Sequence, residues 1–97
     1  MFTGTLALEL LLGDVHSLKE KRSVVRPVVA AVRKLDVSVA EVGHLDLHRR
    51  ALVGVAVVAA DAQHCREVLA SCERLVADRP EVEVLSAHHR LLKEGDD

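Results

Sequence analysis

Apolar positions along the chain fall into four extended runs and two helical stripes. Residues 3–12 place Leu6, Leu8, Leu10 and Leu12 on one parity and Ala7 and Leu11 on the other. That is the pattern of a strand covered on both sides. Gly13 and Asp14 end it, and Ser17 followed by Glu20 forms a capping box, so a helix is expected from about Leu18. Leu18, Val25, Val28, Val29, Val32 and Leu35 then recur at the period of one helical face. Pro27 lies inside this stripe. Proline in a helix interior removes the backbone bond to the residue four before it, here Ser23, at a cost of about 3 kcal/mol, and predicts a kink or break.

Residues 37–42 carry β-branched Val37 and Val39 around Ser38 and read as a second strand, followed by a polar connection over 43–50. Residues 51–60 contain no polar side chain and predict a third strand buried on both faces. Asp61 caps a second helix whose stripe is Cys65, Val68, Leu69, Cys72, Leu75 and Val76, and Pro80 stops it. Residues 82–85 read as a short fourth strand, and 93–97 as a charged, frayed tail. The order β-α-β-β-α-β predicts one ferredoxin-like α+β domain over residues 1–92, a four-stranded antiparallel sheet with two helices on one face. Right-handed crossovers put both helices on the same side, with the first and third strands central.

This arrangement leaves an apolar surplus. Ala7, Leu11 and half of the 51–60 run face away from the helices, and an exposed apolar patch of that size marks an interface. A homodimer through the open sheet face is expected, unless the tail folds back over it.

Composition narrows the functional classes. Of 97 residues, 49% are apolar, but Phe2 is the single aromatic. The Val and Leu content excludes a disordered chain, and two cysteines do not make a disulfide scaffold. Seven residues apart on a helix, Cys65 and Cys72 are separated by about 10 Å, beyond disulfide reach, and read as small core residues. An RNA-binding sheet that stacks bases on aromatic rings is excluded for want of rings. No run approaches the roughly 18 apolar residues of a membrane span, and Glu9 interrupts the apolar N-terminus, which also lacks the basic flank of a signal peptide. A cytoplasmic protein is expected, without a membrane partner.

The net charge of −2 conceals an asymmetry: residues 16–35 hold six basic residues and one acid, whereas 61–97 hold nine acids and five bases. Ser17, Lys19, Lys21, Arg22 and Arg26 cluster at the start of the first helix. Cations there oppose the helix dipole, but beside free backbone N–H groups they concentrate positive potential suited to phosphate. No second glycine precedes Lys19, so this is not a P-loop. Arg49 and Arg50 extend the basic surface, and Glu41, His44, Asp46 and His48 form a polar recognition knot around the second connection. The alternative for that knot is a charged hairpin tip that only protects the sheet.

Catalytic and metal chemistry find little footing. His88 and His89 point to opposite sides of a strand, and His44, Asp46 and His48 lack a completing ligand. No serine sits in a G-x-S-x-G elbow, and neither an acyl-phosphate cradle nor four cysteines for a cluster is present. No enzyme activity, metal or cofactor is expected.

The chain resembles the YlxP-like family of small bacterial proteins, a domain of unknown function. The resemblance is carried by His16-Ser17-Leu18-Lys19-Glu20-Lys21-Arg22-Ser23-Val24, by Val37-Ser38-Val39-Ala40-Glu41-Val42, and by Gly54-Val55-Ala56. It implies a ferredoxin-like fold, a bacterial cytoplasmic setting, and genes lying beside translation-initiation and ribosome-maturation factors. The loop departs from the family: members often read Asp-His-Gln-Asp-Leu-Trp-Gln-Arg, where this chain has Gly43-His44-Leu45-Asp46-Leu47-His48-Arg49-Arg50.

These readings point to a non-enzymatic accessory factor that binds ribosomal or other structured RNA through Ser17, Lys19, Lys21, Arg22 and Arg26, with Arg49 and Arg50 in support. The alternatives are a small-molecule regulatory module of the ACT-like kind, with the same element order, and a dimeric protein-docking scaffold.

Overall fold

The computed structural model describes residues 1–95. Its elements are β1 (Phe2–Leu12), α1 (Leu18–Arg33), β2 (Ser38–Gly43), β3 (Arg50–Ala59), α2 (Ala62–Ala77) and β4 (Val82–Lys93). The sheet order is β2-β3-β1-β4 with every neighbouring pair antiparallel, so β1 and β3 are central as the pattern predicts. This is the ferredoxin-like βαββαβ architecture.

The core lies between the sheet and the helices. Leu6, Leu8, Leu10 and Leu12 of β1 are buried, beside Ala51, Val53 and Val55 of β3. Val25, Val28 and Val32 of α1 and Cys65, Leu69, Cys72 and Val76 of α2 close over them. Both cysteines are buried free thiols, as their spacing requires, and burial pushes the Cys72 thiol up from its ordinary range. Gly4 shows how closely α2 lies on β1: a Cβ there would stand 2.8 Å from Leu69 Cδ1.

Capping sets the helix starts. Ser17 Oγ accepts from the Glu20 backbone N–H at 3.1 Å, and the Glu20 carboxylate reaches back to the backbone N–H of His16 at 2.7 Å. In α2 the Asp61 carboxylate accepts from His64 N–H at 2.7 Å.

Two expectations are corrected. Of the kink or break expected at Pro27, the break does not occur: α1 continues through it. Both Pro27 and Ser23 are exposed, so the Ser23 carbonyl that loses its partner can turn to water, while Val25, Val28 and Val32 hold the helix onto the sheet. The fourth strand is also no four-residue strand: β4 spans twelve residues, pairing with β1 from Leu12↔Val82 to Phe2↔Lys93. A β-bulge near Leu85 shifts the alternation, and the polar residues beyond it hide the second half of the strand from a periodicity argument. Lys93 therefore belongs to the sheet. Glu94 exchanges backbone contacts with Met1 (2.7 and 3.0 Å), which runs this end alongside β1 instead of over the sheet. The last two tail residues lie outside the described residues.

Candidate functional site

The start of α1 and the β2–β3 connection meet at one end of the sheet, and the basic residues expected to act together there divide into two groups. The first is built into the structure. Lys21 is 3% exposed, its ammonium 2.7 Å from Glu41 Oε2 and donating to the backbone carbonyl of His44 at 2.7 Å. The Glu41 contact is ionic, without hydrogen-bond alignment. Lys21 is thus corrected from a phosphate contact to an internal tie between α1, β2 and the loop. Glu41 is likewise turned inward.

His44 carries this tie across the sheet. Its backbone is left-handed (φ 57°). The carbonyl accepts Lys21, while imidazole Nε2 lies 2.8 Å from Glu9 Oε2. Glu9 projects from β1 on the face opposite the leucines, as strand alternation requires. Arg50 of β3 donates to the same oxygen through Nε at 3.1 Å and Nη2 at 2.7 Å. The Arg50 hydrogen bonds hold the Glu9 carboxyl below its ordinary range; burial pushes the other way, and the charges of His44 and Arg50 add to the lowering. Arg49 is also engaged, its Nε donating to the Leu12 and Gly13 carbonyls at 3.2 and 3.0 Å, which fastens the end of β1. Ser17 serves as the helix cap.

The second group faces solvent. Lys19, Arg22 and Arg26 are exposed and have no carboxylate partner among the described residues. At 100° per residue these three and Arg33 fall within one narrow arc of α1, spaced over about 21 Å. Lys19, Arg22, Ser23, Arg26 and Pro27 line an open depression; a second, between α1 and β2, is lined by Arg22, Arg26, Arg33 and Glu41. Arg33 Nη2 donates to the Val39 carbonyl at 3.3 Å. Asp46 and His48, with Leu45 and Leu47 between and beside them, stand exposed at the loop tip.

Glu9 is the member of this end that sequence reasoning passed over, as an interruption in an apolar run. A lone carboxylate on the parity opposite the core leucines was the available signal, but its partner Arg50 is 41 residues away and only the register joins them.

A family model described as a protein of unknown function (DUF503) matches residues 3–89. The chain belongs to the DUF503 family. Within it, the uncharacterized protein YlxP of Bacillus subtilis (strain 168) is 31% identical over 81 residues, covering 82% of this chain and 88% of the relative. The YlxP-like resemblance seen in the helix start and second strand therefore holds for most of the chain. The DUF503 match includes the whole α1 stripe and the loop. No helix among the described residues is long and apolar enough to cross a membrane.

Proposed function

We propose that this DUF503 protein is a non-catalytic, RNA-associated factor that engages phosphates through Lys19, Arg22 and Arg26 of α1. The observation that carries the reading is the division of the cations. Lys21, Arg49 and Arg50 are bound to internal partners, whereas the three on the outer face of α1 are exposed in a line and carry no counter-acid among the described residues. A line of free cations on a regular helix suits a backbone of repeating phosphates, where contacts give position and affinity but little sequence reading. With a single aromatic residue, Phe2, the protein cannot stack bases across its sheet, so recognition is by shape. Arg33 extends the line, and the exposed loop tip at Asp46 and His48 flanks its start.

The setting implied by the family resemblance, beside translation and ribosome-maturation factors, makes ribosomal RNA the first RNA to test. Gel-shift titration of ribosomal RNA fragments against wild type and a Lys19→Glu/Arg22→Glu/Arg26→Glu variant is the experiment. Binding at low salt that disappears in the variant is expected. Absence of binding by wild type, or equal binding by the variant, overturns the reading. Thermal stabilisation by a metabolite, independent of salt, would favour the ACT-like alternative instead.

A further inference from the structure

The sheet face opposite the helices has no covering element among the described residues. Its centre is made of small residues, Gly54, Ala7, Ala40 and Ala56, in adjacent register rows. Beside this shelf stands a ridge of Leu52 and Leu11, on the side toward the Glu9–Arg50 pair. Exposed Val58 and Leu92 mark the far end, 64% and 58% accessible.

We propose that a second copy of this chain covers the face, related by a two-fold axis lying in the interface and crossing the strands between the Ala7 row and the Glu9 row. β1 then lies over the partner's β1 in the opposite direction. Three features of the face select a second copy as the occupant.

The first is shape. The register sets Ala7 opposite Gly54 and Glu9 opposite Leu52. The proposed axis exchanges these rows, seating Leu52 of each copy over Gly54 in the other, beside the exposed Val42 side chain that lies against that glycine. The next rows outward are likewise exchanged, placing Leu11 over Thr5 and the Arg50 stem over Ala56. Large side chains meet small ones, as two sheets about 10 Å apart require. Aligned sheets cross at about 30°, so rows nearest the axis keep this match best.

The second is charge. Glu9 is neutralised by Arg50 within its own copy, with the His44 ring against the same oxygen, and brings no unpaired charge to the interface. Glu83 and Arg90 remain, both on β4, opposite Leu11 and Thr5 respectively. Those are rows that the axis exchanges. Glu83 of each copy thus faces Arg90 of the other, twice in the dimer.

The third is area. At about 4.8 Å between strands and 3.3 Å per residue, the face measures about 600 Å² on each copy. The pair buries about 1,200 Å², the lower limit of a standard stable interface.

The test is analytical ultracentrifugation of the full chain at micromolar concentration in low and high salt. Wild type is expected to sediment at twice the chain mass in both, because the contact is mainly apolar. Ala7→Glu is expected to sediment as a monomer. Glu83→Arg and Arg90→Glu, at exposed positions where folding is not at risk, are each expected to weaken association about tenfold. Combining them restores it to within about threefold of wild type. A monomeric wild type overturns the proposal, as does a dimer indifferent to Ala7→Glu, or a double variant no better than the singles. RNA binding lost in Ala7→Glu with no change in mass would assign the face to RNA and also overturn it. The basic stripe lies on the helix layer, so this outcome is independent of the one for Lys19, Arg22 and Arg26.

Discussion

Lys21 and Glu41 form an ion pair at 2.7 Å in which the lysine is almost wholly withdrawn from solvent while the glutamate keeps 22% of its exposure. Removing one member of a buried pair leaves the other charge uncompensated. Lys21→Ala is therefore expected to destabilise the fold by about 2–4 kcal/mol, read by urea unfolding; partial exposure of Glu41 keeps the loss toward the lower end. Lys21→Met combined with Glu41→Leu is expected to recover most of it, since an apolar pair replaces the ionic one without an orphan. A Lys21→Ala variant as stable as wild type would show that the pair holds nothing together.

Glu9 gives stability a pH dependence with a defined sign. Its carboxyl is held below its ordinary range, first by the Arg50 hydrogen bonds. The folded state therefore favours the carboxylate more than the unfolded chain does. That contribution is fully present above the ordinary Glu range and is lost as pH falls through the lowered folded value. Urea unfolding of wild type and Glu9→Gln across the acid range should show a gap at neutral pH that closes as the medium is acidified. A gap that stays constant, or widens toward acid, contradicts the assignment.

Pro27 offers a stabilising substitution. It lies exposed in the interior of a continuous helix, and its neighbours Val25 and Val28 do the packing. Pro27→Ala restores the N–H that bonds Ser23 and removes the ring, so a gain of about 1–3 kcal/mol is expected. The check is the shift in Tm; a fall would mean that the proline ring itself supports the helix.

The three exposed cations are expected to be dispensable for folding. Reversing Lys19, Arg22 and Arg26 to Glu should change stability by no more than about 0.5 kcal/mol, the usual range for surface positions. Acids near a helix N-terminus also interact favourably with its dipole. Thermal unfolding separates this from Lys21, four residues into the same helix, which carries stability instead.

The element order and central strands were readable because aliphatic alternation and caps are local signals. Ser17 with Glu20, and Asp61 before its stripe, mark helix starts where the structure has them. β4 was half-read because the bulge near Leu85 breaks the period on which such reading depends. At the candidate site, a string of basic letters does not say which side chains turn inward. Lys21 lies on the same helical stripe as Val25, Val28 and Val32, and that position, rather than its charge, sets its fate. The roles of Arg49 and Arg50 depend on Gly13 and Glu9, brought to them only by strand pairing.

Phosphate binding by the outer face of α1 is read out by the salt dependence of ribosomal RNA binding. Neutralising three phosphates predicts a log Kobs versus log salt slope of about −2 to −3, from roughly 0.7–0.9 per phosphate. Replacing Arg22 alone should make that slope shallower by about one, with affinity falling evenly across unrelated RNA sequences. Lys21→Met with Glu41→Leu should leave the slope where it was. A wild-type slope near zero, or a slope unmoved by loss of Arg22, would contradict the assignment of phosphate binding to the outer face of α1.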